Sequence, residues 1–220
     1  MDSLIRERLL QIQDDIAPCK PNIIAVTKYF DAQAIVDAYN AGLRDFAEAR
    51  VKEATDKINS LPDFIRTNSK FHFIGHLQTN KVNKVVEYFD FIHSVDSLKL
   101  AELISKEASE IGKVQNIFLQ VNNANEEQKF GLSTEEIFEI FPLIQKLPDI
   151  SILGLMNMAP LNAEEKDLDF LFSQIAEIKN RLEKDFNCKL PELSMGMSQD
   201  YKIAVRHGAT MLRIGRKLFK

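Results

Sequence analysis

Short apolar, β-branched runs alternate along this chain with longer stretches whose apolar residues fall at helical spacing. The first run, Asn22–Thr27, follows a proline and reads as a buried strand. Further strands are expected at Leu43–Ala47, Phe71–Gly75, Phe91–Ser94, Gln115–Val121, Ser151–Met156, Glu192–Met195 and Thr210–Ile214. A helix follows each. Asp31 can cap the first of these, whose inner face is Ala34, Ile35, Ala38 and Tyr39, and Gly42 closes it. Others are expected over 50–59, Asn80–Phe89, Ser97–Ile111 with Ser97 as cap, a stretch opened by Ser133 and Glu136 and ending at Lys146, Ala163–Asp185, 199–207 and the C-terminal tail. A leading helix over Asp2–Asp15 places Leu4, Ile5, Leu9, Ile12 and Ile16 on one side.

Strands that alternate with helices form a parallel sheet covered by helices. Eight such units in about 200 residues match the lower size limit of a closed (β/α)8 TIM barrel. A doubly wound open sheet is the rival, and its nucleotide-binding form lacks a GxGxxG after the first strand here. The reading is an α/β chain, one TIM-barrel domain over 1–220 with an additional N-terminal helix.

Charge narrows the partners. With 28 basic and 32 acidic residues the formal net charge is −4, which gives no footing for nucleic acid or an anionic membrane. No apolar run approaches the ~18 residues that span a bilayer. The first residues lack a secretory layout, and two distant cysteines, Cys19 and Cys188, suggest neither a zinc site nor a disulfide scaffold. A cytoplasmic protein is expected.

In such a barrel the chemistry sits at the C-terminal ends of the strands, and phosphates often bind after strands seven and eight. Directly after the first strand comes Lys28, whose amine can attack an aldehyde to give a Schiff base. The seventh runs into Ser194-Met195-Gly196-Met197-Ser198, and the eighth ends in Arg213-Ile214-Gly215-Arg216. Gly196 and Gly215 let backbone N–H groups approach an anion, and Ser198 can add its hydroxyl at the start of the next helix. Arg213, facing the barrel interior, needs a carboxylate or a ligand atom as its partner. A lysine aldehyde trap opposite a phosphate cradle suggests pyridoxal 5′-phosphate (PLP).

These residues carry a resemblance that extends over essentially the whole chain. Ala25-Val26-Thr27-Lys28, Phe71 to Gly75 continuing through Leu77 to Lys81, Gln120-Val121-Asn122, Gly154-Leu155-Met156, Leu193 to Ser198 and Met211 to Gly215 resemble the pyridoxal phosphate homeostasis proteins (YggS/PROSC type), related in fold to the N-terminal barrel of alanine racemase. The resemblance implies that Lys28 is the Schiff-base lysine. It implies that Ser198, Gly196 with Met197, and Gly215 hold the phosphate, and that Arg213 meets the pyridine nitrogen. An arginine there keeps the ring a weak electron sink. It further implies intracellular PLP (vitamin B6) homeostasis without turnover, a monomer, and PLP-dependent apo-enzymes as receivers. An amino-acid racemase is the alternative; racemization wants a second base, and none is expected from a chain that ends at Lys220, just past the eighth strand. Two positions depart from the family pattern. Ala47-Glu48-Ala49-Arg50 stands where Gly-Glu-Asn is usual, and Arg216 stands where a small hydroxyl residue is common.

Other constellations read as structure. His72 and His76 on a strand lie ~13 Å apart, too far to share a metal. His93, Ser94 and Asp96 are local neighbours without a GxSxG elbow. Lys129 is a loop lysine that can reach the mouth as a second amine.

Overall fold

A computed structural model describes residues 2–124, 130–160 and 162–220. The chain runs α1 (Asp2–Asp15), β1 (Asn22–Val26), α2 (Ala32–Asn40), β2 (Asp45–Glu48), α3 (Val51–Ser60), α4 (Asp63–Thr67), β3 (Lys70–Phe73), a 3₁₀ turn (Thr79–Lys81) and α5 (Val82–Tyr88). It continues with β4 (Phe91–Val95), α6 (Leu98–Glu110), β5 (Gln115–Val121), α7 (Thr134–Ile144), β6 (Ile150–Asn157), α8 (Glu165–Asp185), β7 (Glu192–Met197), α9 (Tyr201–Arg206), β8 (Met211–Ile214) and α10 (Arg216–Phe219). The strands form a closed parallel barrel in sequence order, with β8 returning to pair with β1 at Ala25 and Ile214. The barrel expected from the alternation is the one found.

The caps form as read. Asp31 accepts from Ala34 N–H, Ser97 from Leu100 N–H, and Ser133 and Glu136 complete a capping box. The differences are local. Strand β2 begins two residues later than expected, and α4 is an extra short helix behind Pro62. Strand β7 runs on to Met197, because a bulge between Ser194 and Met197, with Gly196 at φ +91, keeps those residues in the sheet. On α1, Ile5, Leu9 and Ile12 are buried while Leu4 is exposed, and Ile16, just past the helix end, is buried too. That helix packs on α2 and α10, and its Asp15 accepts from Tyr201 and pairs with Lys202 and Lys217. It thus covers the flank beside the four-residue α10.

Alternation along the strands sorts two cores. Outward residues such as Ile23, Phe46, Phe73, Ile92 and Leu212 pack beneath the helices. Inside the barrel, Ile24, Ala47, Phe118, Met156 and Met211 form a small apolar cluster. The buried polar residues His72, His93, Ser194 and Arg213 are hydrogen-bonded to one another, with His72 stacked on Phe91 and His93 on Phe118. Among the described residues no helix is long and apolar enough to cross a membrane.

Candidate functional site

A cavity of about 740 Å³ opens at the C-terminal ends of the strands, a volume suited to a small cofactor. Lys28, Met197, Ser198, Arg213 and Gly215 all line it, so residues from the first and last two strands converge on one space. Arg216, a departure from the family pattern, lines it too, as do Lys220 and Asp200. Four cations against one carboxylate favour an anionic ligand.

Lys28 follows β1 after one intervening residue, Thr27. Its side chain is half-buried, with the amine 5.1 Å from the centre of the exposed Tyr29 ring and no ion-pair partner among the described residues. Beneath it lies a buried set that no spacing in the sequence groups together. Thr27 donates from Oγ1 to Glu48 Oε1 at 2.6 Å; Lys57 donates to the same oxygen at 2.5 Å and to the Thr27 carbonyl at 2.9 Å. Glu48 therefore serves the lysine's backbone rather than the cavity wall. Ala49 does not line the cavity; its carbonyl lies against Gly75, where a Cβ would come within 2.1 Å of that oxygen.

Arg213 has protein acceptors that the expectation of a carboxylate or a ligand atom did not include. Its Nη1 donates to Ser194 O at 2.6 Å and Ser194 Oγ at 2.7 Å, and its Nη2 donates to Asn157 O at 2.7 Å. Neutral acceptors satisfy these hydrogens while the guanidinium still borders the cavity. Burial lowers its pKa to about 10, with the nearby Asp200 charge acting in the opposite sense.

Around the expected phosphate cradle, Ser198 Oγ accepts from Lys217 N–H at 3.2 Å, leaving its hydroxyl proton to donate. The Met197 N–H is already committed to Asp200 Oδ1 at 2.5 Å. Burial pushes the Asp200 carboxyl up, against the bond from Met197 and the Arg213 charge. Gly196 does not line the cavity: a Cβ there would sit 2.7 Å from Ala204 Cβ, so the missing side chain lets α9 pack on β7. Gly215 borders the cavity, and a Cβ there would lie 3.3 Å from Val26 O.

The histidines hold other positions. His72 bonds His93 and Asp45 inside the barrel, while His76 stacks on Phe130 and pairs with Asp96 at 3.6 Å. Lys129 lies outside the described residues.

Residues 3–220 match the family model described as alanine racemase, N-terminal domain, and by that match and by its fold the chain is a barrel of that class. A pyridoxal phosphate homeostasis protein of Synechocystis sp. is 40% identical over 202 residues, 92% of each chain. Its counterpart in Aquifex aeolicus is 37% identical over 197 residues, 90% of this chain and 85% of the relative. The chain belongs to the pyridoxal phosphate homeostasis protein family. A solved structure of PipY from Synechococcus elongatus with PLP bound superimposes with a TM-score of 0.88 at 38% identity, covering 98% of this chain and 100% of PipY. Alanine racemase of Clostridium difficile, at 15% identity and a TM-score of 0.80 over 99% of this chain and 56% of its own, shares the fold alone.

Proposed function

We propose that this chain binds pyridoxal 5′-phosphate in the strand-end cavity and holds it on Lys28 as a Schiff base, serving intracellular PLP homeostasis without turnover. The carrying observation is the donor set: a primary amine, a guanidinium held by neutral acceptors and a serine hydroxyl face one cation-rich cavity. The family membership and the PLP-bound PipY structure support the reading.

With PLP bound, Lys28 in its neutral form would supply the amine that condenses with the aldehyde, releasing water. Ser198 donates its free hydroxyl proton to the phosphate, Gly196–Met197 and Gly215 shape the adjoining backbone, and Arg216 adds charge. Because the Met197 N–H already serves Asp200, Ser198 and the Gly215 turn carry most of the phosphate contact. Arg213 meets the pyridine nitrogen as a hydrogen donor. The cofactor supplies an electrophilic carbon and, with an unprotonated ring, little electron-sink power. The barrel acts as one unit, as a monomer in the cytoplasm, with PLP-dependent apo-enzymes receiving the cofactor.

The test is the visible spectrum of the purified chain with PLP, followed by borohydride reduction and peptide mapping. Imine absorbance that Lys28→Ala abolishes, with the reduced adduct on Lys28, is expected; an adduct elsewhere, on Lys129 for instance, overturns the assignment. Exchange of the alanine Cα hydrogen with solvent at enzyme-like rates would overturn the non-catalytic reading.

A further inference from the structure

Five side chains form a continuous buried chain through the barrel. Arg213 Nη1 lies 2.7 Å from Ser194 Oγ, which lies 2.9 Å from His93 Nδ1. His93 Nε2 lies 3.0 Å from His72 Nδ1, and His72 Nε2 lies 2.9 Å from Asp45 Oδ1. His72, His93 and Ser194 are fully buried, and Asp45, at the opposite end, opens β2 with its side chain 18% exposed.

Hydrogen-bond chemistry gives this chain one direction. A guanidinium can only donate, so Ser194 Oγ accepts from Arg213. The hydroxyl's own proton is then available to His93 Nδ1, which leaves the His93 proton on Nε2, facing His72. His72 accepts at Nδ1 and carries its proton on Nε2, facing Asp45, which as a carboxylate can only accept. With His93 in the other tautomer, Ser194 would face two donors and its proton would have no place in the chain. Burial also pushes the His93 imidazole well below its ordinary pKa, consistent with a neutral His93 ring.

We propose that Ser194, His93, His72 and Asp45 are positioning residues that fix the guanidinium of Arg213 toward the cavity, so that a carboxylate at the start of β2 sets the aim of a group at the mouth. The chain itself is a property of the protein alone; its consequence for the ring nitrogen rests on the proposed PLP site. Such outer partners orient a contact group and stop it relaxing onto other acceptors.

The first arm uses the full chain without cofactor, labelled with ¹⁵N-histidine. Long-range ¹H–¹⁵N spectra are expected to show the His93 proton on Nε2, facing His72, and the His72 proton on Nε2, facing Asp45. Asp45→Asn, which keeps an acceptor, should retain that pattern, whereas Asp45→Ala should shift the resonances of both rings. A proton on Nδ1 of either ring, or a His93 signal indifferent to Asp45→Ala, overturns the proposal. The second arm compares the affinity for PLP with that for its analogue bearing CH in place of the ring nitrogen. Ser194→Ala is expected to weaken PLP about tenfold and the carbon analogue far less. Asp45→Ala should act in the same sense, with rescue by Asp45→Asn. Equal losses for both ligands would reduce these residues to structural support and overturn the positioning role. If the wild-type chain binds neither ligand, the PLP reading fails, and the histidine spectra still decide the chain.

Discussion

Lys57 donates to the carbonyl oxygen of Thr27 across 2.9 Å, and Thr27 is the residue before Lys28. The same ammonium pairs with Glu48 at 2.5 Å, with side-chain exposures of 8% and 1%. The peptide carrying the cavity lysine is thus held by a buried ion pair. Lys57→Met would leave the Glu48 carboxylate buried with only the Thr27 hydroxyl, a loss of about 3–5 kcal/mol. The double variant Glu48→Gln with Lys57→Met removes the stranded charge and should recover much of it. Urea unfolding of the three chains measures this; a Lys57→Met chain as stable as the parent would refute the account.

The glycine at 196 makes a second, backbone-level prediction. Its φ of +91 is unfavourable for any side chain, and a Cβ would also press on Ala204 Cβ at 2.7 Å and Leu212 Cδ2 at 3.0 Å. Gly42, at φ +110, closes α2, and a methyl group there would meet nothing within 4 Å. Gly196→Ala should therefore cost about 2–5 kcal/mol, against about 1–2 kcal/mol for Gly42→Ala. Denaturation midpoints that rank the two the other way would show that α9 yields to a methyl group without cost.

What could be read from the sequence was what is local. Caps at Asp31, Ser97 and Ser133 act on N–H groups three residues away, and the switch between strand and helix periods needs only a short window. The strand-end residues Lys28, Ser198, Arg213 and Gly215 were legible because the order of a parallel barrel brings its first and last strands together. The partners of Arg213 were not. They lie on β6 and β7, and the His93 link to Ser194 spans 101 residues, so no spacing rule joins them. Nor was the packing at Gly196, where the missing side chain lets α9 sit against β7.

Acid should loosen the flank where α1 meets α9 and α10. The Asp15 carboxyl is held well below its ordinary 3.8, first by the hydroxyl bond from Tyr201 and then by Lys202, with Lys217 and Gln11 adding to them and burial opposing. A carboxyl lowered by folding stabilises the fold fully above its unfolded pKa and loses that contribution as pH falls toward the folded value. Stability of the parent should thus decline with acidification below about pH 4, and Asp15→Asn should show a shallower decline over that window. Thermal midpoints across the acid range test this, and parallel curves for the two chains would remove Asp15 from the acid response.

Ser198 separates a ligand role from a structural one. Its Oγ accepts from Lys217 N–H at 3.2 Å, a long bond in a half-buried place, so its loss should cost the fold no more than about 1 kcal/mol. The hydroxyl proton, free of any protein acceptor among the described residues, is the part a phosphate would use. Ser198→Ala should then weaken PLP about tenfold, since a hydrogen bond to a charged group contributes about 1.5–3 kcal/mol. Affinity for pyridoxal, which keeps the aldehyde and the ring but has no phosphate, should change little. Equilibrium dialysis with both ligands makes the comparison. Equal weakening of the two would mean that Ser198 acts through the Lys217 tether on the cavity as a whole, and unchanged PLP binding would take Ser198 out of the phosphate site.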